Sequence, residues 1–212
     1  MKRLNSDLTA LRIRMVDRDI AGRGINDPLV LEAMRGVPRE YFVPEHFQDS
    51  AYEDAPLPIP GGQTISQPYI VASMIQALGL QGGERVLDVG TGSGYAAAVL
   101  SRISDHVFSI ERHGSLAETA AQRFLELGYD NITVRHGDGR LGWPEHAPYD
   151  AIVVAAATRE IPEPLLEQLG IGGRMVIPVG SASRQDLLRI ERSARDQFDR
   201  RKLESVRFVP LV

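Results

Sequence analysis

The stretch Arg85-Val-Leu-Asp-Val-Gly-Thr-Gly-Ser-Gly-Tyr95 constrains the fold of this chain more than any other. Val86, Leu87 and Val89 predict a buried strand, and the alanine-rich run from Gly94 to Ile103 predicts a helix. The glycines between them lack Cβ atoms, so a ligand can lie against the backbone there. A strand, a glycine turn and a helix in this order are typical of the nucleotide-binding corner of a doubly wound sheet.

Strands and helices alternate along most of the chain. Strands are predicted at 85–90, 106–111, 131–136, 149–155, 173–179, 186–192 and 206–211, and helices at 94–103, 114–127 and 162–169. This alternation predicts an α/β fold with a doubly wound, mostly parallel, Rossmann-like sheet and helices on both faces. Because no helix separates the last two strands, and residues 196–202 predict a charged turn between them, we expect an antiparallel C-terminal edge.

The residues before the glycine turn predict a helical and loop extension. Apolar residues recur at helical spacing from Leu4 to Ile20, and shorter helices are predicted from Pro28 to Arg35 and from Pro68 to Leu78. From Val37 to Gly62, frequent prolines exclude a long helix or a central strand. We expect an ordered loop there, packed on the sheet.

Length and composition limit the class of protein. The 212 residues suffice for one structural domain, which we divide into an N-terminal helical and loop region, 1–82, and a ligand-binding core, 83–212. The net charge of −4 argues against a generic nucleic-acid surface. No run approaches the roughly 20 apolar residues that span a membrane, and the N-terminus lacks the apolar core of a signal peptide. We expect a cytoplasmic monomer that binds neither nucleic acid nor membrane.

The chain contains no cysteine, which excludes disulfides, thiolate metal sites and a cysteine nucleophile. The cytosine C5 methylation mechanism, which requires a cysteine, is excluded with them.

Three predicted strand ends carry residues suited to one ligand. The turn from Gly90 to Gly94 offers backbone amides to a carboxylate, such as that of an aminoacyl group. Glu111 ends the second strand, about 20 residues beyond the first glycine, where an acid commonly binds ribose hydroxyls. Asp138 follows the third strand between two glycines and either accepts the adenine amino group or is an ordinary turn aspartate. Together these ends imply an adenosine ligand.

Each of these residues has a less specific interpretation. Glu111 is otherwise a solvated charge at a strand end, and Arg112 and His113 either frame the adenine or are merely exposed. Tyr95 stands where a dinucleotide fingerprint needs its third glycine, which disfavours a nicotinamide cofactor. No G-x-x-x-x-G-K-[ST] element occurs, which argues against phosphate-centred chemistry.

The run Asp88-Val-Gly-Thr-Gly-Ser-Gly94 resembles motif I of the S-adenosylmethionine-dependent methyltransferases. The predicted fourth strand ends Val153-Val-Ala-Ala-Ala-Thr158, without the [ND]-P-P-[YFW] element that methylation of exocyclic base amines requires. No carboxylate cluster suited to a metal surrounds Asp138 and Asp150, so no metal site is expected. These two absences favour an acceptor that needs little activation, such as an ionised carboxylate.

The segment before motif I carries a closer resemblance. It contains Arg39–Pro44, Ala51–Pro58 and Gly62–Ala72, in which Gln63-Thr-Ile-Ser-Gln-Pro68 is the most specific part. These segments resemble the protein-L-isoaspartate O-methyltransferases, and the resemblance continues to Leu211, over nearly the whole chain. It implies methyl transfer from S-adenosyl-L-methionine, with S-adenosyl-L-homocysteine as product, to the free α-carboxylate of L-isoaspartyl residues in damaged peptides and proteins. Repair would then proceed through a succinimide.

The resemblance also implies residue roles. Ser66 falls on the family's active-site serine, which would orient an acceptor carboxylate that is already ionised, its reference pKa being about 3.5. Gln63, Thr64 and Ile65 fall on the loop that closes over cofactor and acceptor. The other implied cofactor-binding residues are Val71, Asp88, Gly90, Thr91, Gly92, Gly94, Glu111, Arg112, Asp138 and Gly139. For Ser66 a second interpretation stays open, because serine shortly before Pro68 is good N-cap chemistry for the predicted helix.

Two positions depart from the family pattern. Pro60 stands where glycine is usual, and Thr158-Arg159 stands where small residues or proline are common. Arg159 either pairs with an acidic peptide or is a solvated loop arginine. Three alternatives stay open for the whole chain: a related methyltransferase for another carboxylate or a small molecule, a non-catalytic adenosine-binding protein, and a nicotinamide oxidoreductase.

Overall fold

The computed structural model describes residues 2–212, with side chains from Leu8 onward, so the predicted apolar role of Leu4 lies outside the described side chains. Helix α1 (Lys2–Arg14) continues into a π-helical turn at Met15–Ile20, which confirms the predicted helix with a change in its hydrogen bonding. Helix α2 (Pro28–Gly36) begins after Asp27, whose side chain accepts hydrogen bonds from two amides of the first turn.

The proline-rich loop contains more structure than its composition predicts. After two short 3-10 turns, strands β1 (Leu57–Ile59) and β2 (Gln63–Ile65) pair antiparallel as a small hairpin. Its turn runs from Pro60 to Gly62, and both glycines have positive φ, 73° at Gly61 and 68° at Gly62. Helix α3 (Pro68–Leu78) follows with the predicted bounds.

Seven further strands form one sheet, and the first six lie at the predicted positions. They are β3 (Arg85–Val89), β4 (His106–Glu111), β5 (Ile132–His136), β6 (Tyr149–Val154), β7 (Leu169–Ser181), β8 (Arg184–Ala194) and β9 (Gln197–Val206). Their spatial order is β5-β4-β3-β6-β7-β8-β9. The first five are parallel, and β8 and β9 add the predicted antiparallel edge.

Helices cover both faces of this sheet, because successive strand residues point to opposite sides. On β3, Val86 belongs to one apolar cluster and Leu87 to another. The first cluster contains residues of α3, α4 (Tyr95–Ser101) and α5 (Gly114–Leu127). The second contains Trp143 and Leu165, the latter on α6 (Glu163–Gln168).

The prediction for the last strand was wrong. Residues 197–206 form β9, where a charged turn was expected, and residues 207–212 lie beyond the strand. Strand β9 is the edge of the sheet, where charged side chains are common because they discourage pairing with another chain. Lys202 illustrates this, since its Nζ lies 2.7 Å from Asp186 Oδ1 on the neighbouring strand. The charge that suggested a turn is therefore the charge of an edge strand.

Within residues 2–212, no helix combines the length and the apolar character needed to cross a bilayer.

Candidate active site

A cleft lies where the order of the strands reverses. Strands β4 and β6 pair with opposite sides of β3, so ligands are expected beyond the carboxyl ends of these three strands. The cleft there encloses about 740 Å³, counting its open mouth.

The glycine turn forms the floor of the cleft. Gly90, Gly92 and Gly94 have φ angles of 96°, 51° and 91°, a region that side chains other than glycine rarely adopt. A Cβ atom on Gly94 would also lie 2.7 Å from Cζ of Phe124, which packs under the turn. Gly94 is thus needed for packing beneath the turn and does not itself line the cleft.

Most of the turn's amides are already engaged within the protein, which limits the role predicted for them. The Gly90 amide donates to the carbonyl of Ile110 at 2.8 Å, and the Gly94 amide donates to the carbonyl of Thr91 at 2.7 Å. The main contribution of this turn is therefore close approach of a ligand to the backbone, with few free donors.

Glu111 is held in a fixed orientation at the end of β4. Its side chain is buried, with Oε2 accepting from the Gly92 amide at 2.8 Å and Oε1 from the His113 amide at 2.9 Å. A carboxylate can accept about four hydrogen bonds, so both oxygens keep capacity on the side that lines the cleft. A ligand with two neighbouring hydroxyl groups, such as a ribose, fits this acceptor pair.

Asp88 lies beneath the turn, outside the lining of the cleft. Its Oδ2 accepts from Ser109 Oγ at 2.7 Å, and that hydroxyl lies 2.5 Å from Thr91 Oγ1, while Oδ1 has no partner among the described residues. Burial raises the pKa of Asp88 to about 6, partly offset by the bond from Ser109 and reinforced by the charge of Glu111. The geometry makes Asp88 a support for the turn.

Asp138 is also absent from the lining. Its carboxylate accepts from the Arg140 amide at 3.0 Å and pairs with Arg140 Nη2 at 2.7 Å, and these side-chain bonds hold its pKa below the usual value. The structure thus shows a turn-aspartate arrangement, and the contact with adenine that the sequence favoured for Asp138 stays a prediction. Gly139, the next residue, does line the cleft.

The structure brings together eleven of the fourteen predicted site residues and leaves out Asp88, Gly94 and Asp138. The eleven that line the cleft are Gln63, Thr64, Ile65, Ser66, Val71, Gly90, Thr91, Gly92, Glu111, Arg112 and Gly139.

One wall of the cleft was missed from the sequence. Residues 209–212 line it, held against the end of β6 by bonds from the Ala157 amide to the Val209 carbonyl and from the Leu211 amide to the Ala157 carbonyl, both 2.8 Å. The sequence placed these residues in an edge strand, and nothing in Val209-Pro-Leu-Val212 signals a ligand contact. Only the fold brings the C-terminal segment here.

Ser66 lies between the cleft and a second cavity of about 890 Å³, and it lines both. Its hydroxyl makes no hydrogen bond with any described residue. The N-cap of α3 is Gln67, which makes no side-chain capping bond, so the capping interpretation of Ser66 was wrong. The hydroxyl is free to bind a ligand.

Asp54 takes the capping role from a distance. Its Oδ1 accepts from the Tyr69 amide at 2.9 Å, and its Oδ2 accepts from Gln67 Nε2 at 2.8 Å and pairs with Arg23 Nη1 at 2.6 Å. The Arg23 guanidinium lies over the Tyr69 ring at 3.5 Å. Asp54 therefore anchors the chain directly after Ser66.

We expect Asp54→Ala to lower the free energy of unfolding by about 2 kcal/mol, because an amide of the first helical turn and Arg23 both lose their partner. Urea denaturation measures this change. Asp49→Ala, which removes an exposed carboxylate from the same segment, is the control and should change stability by less than about 0.5 kcal/mol. Equal effects of the two substitutions would contradict the anchoring role.

The mostly parallel sheet, the glycine turn at its reversal point and the buried acid at the end of the next strand define a class I S-adenosylmethionine-dependent methyltransferase. A comparison of the sequence with models of protein families identifies the family within this class. The model of the family "Protein-L-isoaspartate(D-aspartate) O-methyltransferase (PCMT)" matches residues 12–212. The chain belongs to this family.

Curated relatives and a solved structure agree with this assignment. The chain is 60% identical to protein-L-isoaspartate O-methyltransferase 2 of Pelobacter propionicus over 93% of its own length and 88% of the relative's. It is 57% identical to protein-L-isoaspartate O-methyltransferase 1 of Rhodopseudomonas palustris, over 98% and 85%. A Plasmodium falciparum structure assigned to the same activity, in complex with S-adenosyl-L-homocysteine, superposes with a TM-score of 0.81 at 27% identity and covers 95% of this chain and 98% of that one.

Proposed function

We propose that this protein transfers a methyl group from S-adenosylmethionine to the free α-carboxylate of L-isoaspartyl residues in peptides and proteins, which starts their repair through a succinimide. The observation that carries this proposal is the position of Ser66. Its unbonded hydroxyl lies on the wall shared by the cleft and the second cavity. In this proposal cofactor and acceptor meet at Ser66, and Thr64, Ala155 and Val209 complete the shared wall.

The residues of the cleft fit the cofactor. Glu111 accepts hydrogen bonds from the ribose hydroxyls, and Gln63, Thr64 and Ile65 cover the site from the hairpin side. Arg112 and Gly139 also line the cleft, and we assign them to the adenine. When bound, S-adenosylmethionine supplies an electrophilic methyl group on a positively charged sulfur.

The acceptor needs orientation more than activation. An α-carboxylate has a reference pKa of about 3.5, so it is ionised at neutral pH and requires no general base. Ser66 donates a hydrogen bond to one carboxylate oxygen, and the other oxygen forms the bond to the methyl carbon. The bound cofactor would supply the methyl group, and the electron pair of the carbon–sulfur bond would stay on its sulfur, which is then neutral. The apolar side chains of Ile65, Val71 and Ala155 limit water at this point.

The second cavity provides space for the rest of the peptide. It opens from Ser66 along the chain segment 205–209 and is bounded on the other side by Pro56, Gln67 and Ile70. A peptide that enters through this cavity presents its carboxylate to Ser66 from the side opposite the cofactor.

The proposal is tested with a pair of peptides that differ only in the linkage of one aspartate. We expect the recombinant protein to transfer labelled methyl from S-adenosylmethionine to the isoaspartyl peptide and not to its aspartyl twin. Labelling of both to the same extent, or binding of the cofactor by calorimetry with labelling of neither, would refute the proposal. The second outcome would indicate a non-catalytic adenosine-binding protein.

A further inference from the structure

The second cavity has one charged side chain in its lining. Arg207 is exposed at its edge and makes no hydrogen bond or ion pair with any described residue. The other lining residues are uncharged, namely Pro56, Thr64, Ser66, Gln67, Ile70, Ala155, Ser205, Val206, Phe208 and Val209. A peptide that reaches Ser66 through this cavity passes a single unpaired cation.

The backbone that carries Arg207 is held firmly. Gln185, itself buried, donates from Nε2 to the Phe208 carbonyl at 3.1 Å and accepts the Phe208 amide on Oε1 at 2.6 Å. Val206 and Phe208 pack against the apolar core on either side of Arg207. The guanidinium thus extends from a fixed segment, which lowers the entropy lost when it binds a ligand.

The acids of neighbouring segments already have partners. Asp54 pairs with Arg23, Asp186 pairs with Lys202, and Glu204 accepts from Ser73 Oγ at 2.7 Å. The chain has a net charge of −4, yet Arg207 has no carboxylate partner within the described residues. Arg207 is therefore available to a carboxylate from outside the chain.

We propose that Arg207 is a specificity-determining residue that favours isoaspartyl peptides carrying aspartate or glutamate within about three residues of the isoaspartate. This inference rests on the proposed function. Each extended residue spans about 3.3–3.6 Å, so three residues reach roughly 10 Å from Ser66. The planar guanidinium can bind both oxygens of such a carboxylate, which an ammonium group cannot do with the same geometry.

Arg159, the arginine that the sequence suggested for an acidic peptide, does not compete for this role. It is exposed and lines neither the cleft nor the second cavity. Arg159→Gln removes the same charge elsewhere on the surface, so it is the matched control.

The experiment compares kcat/KM for isoaspartyl peptides that carry glutamate, glutamine or lysine at one, two or three residues on either side. With wild-type protein at low ionic strength, we expect the best glutamate peptide to exceed its glutamine twin about threefold to fivefold, mainly through KM. Raising the salt concentration to about 0.5 M should reduce this ratio towards one, because exposed charges are then screened. Arg207→Gln should bring the glutamate-to-glutamine ratio to about one, and Arg159→Gln should leave it unchanged. Arg207→Glu should make the lysine peptide a better substrate than the glutamate peptide.

Two failures are distinguishable. Equal kcat/KM for the glutamate, glutamine and lysine peptides, or a preference that survives Arg207→Gln, would overturn the role of Arg207 while methyl transfer itself stands. Absence of labelling on every isoaspartyl peptide would overturn the proposed function and the preference with it.

Discussion

A Glu111→Gln variant is expected to bind S-adenosylmethionine about 100-fold more weakly than the wild type. The carboxylate holds two backbone amides, those of Gly92 and His113, at 2.8 and 2.9 Å. Glutamine has one acceptor oxygen, so its amide nitrogen must face one of these donors. A hydrogen bond to a charged group contributes about 1.5–3 kcal/mol and one to a neutral group about 0.5–1.5 kcal/mol, so loss of the charge weakens each bond to a ribose hydroxyl by about 1–1.5 kcal/mol. Two such losses together, about 2–3 kcal/mol, correspond to about a hundredfold change.

Isothermal titration calorimetry with S-adenosylmethionine and with S-adenosyl-L-homocysteine measures this effect. Both ligands carry the same ribose, so both affinities should fall by the same factor. Glu118→Gln, an exposed substitution on α5 with the same change of charge, serves as control and should bind both ligands like the wild type. A Glu111→Gln variant with wild-type affinity would show that the ribose binds elsewhere.

The parallel core of the fold was predictable because its signals are local. Buried parallel strands are continuous apolar runs, and α5 has apolar periodicity and ends at Gly128 in the left-handed region, so β4 and α5 have the predicted bounds. The C-terminal edge was not predictable in the same way. Strand β9 has polar residues on most of its positions, and only its pairing with β8 distinguishes it from a charged loop.

The residues of the candidate site show the same difference between local signals and contacts made only in the fold. Glycines with positive φ and an acid at a strand end can be found from spacing, because both reflect backbone geometry near the residue itself. Three positions required the structure. Asp138 is paired with Arg140, Asp88 is bonded to Ser109, which in turn contacts Thr91, and the C-terminal wall depends on pairing with Ala157. Each of these outcomes depends on a contact that spacing does not encode.

For Ser66 the sequence suggested a structural role that the structure does not show. Serine before a helix suggested a cap, yet the helical amide of Tyr69 is bound by Asp54. The Ser66 hydroxyl therefore makes no stabilising hydrogen bond with the described residues, and its removal should not destabilise α3. This separation makes a substitution at Ser66 easy to interpret.

Ser66→Ala is expected to lower kcat for an isoaspartyl peptide about 10- to 100-fold, since a hydrogen bond to a charged group contributes about 1.5–3 kcal/mol. Its affinity for S-adenosylmethionine should stay within about twofold, and its free energy of unfolding within about 0.5 kcal/mol, because no capping bond is lost. Single-turnover labelling, calorimetry and urea denaturation measure the three quantities. Ser115→Ala, exposed on α5, is the matched control. An unchanged kcat would show that Ser66 takes no part in the reaction. A decrease of about 1 kcal/mol in the free energy of unfolding would instead indicate that Ser66 caps α3.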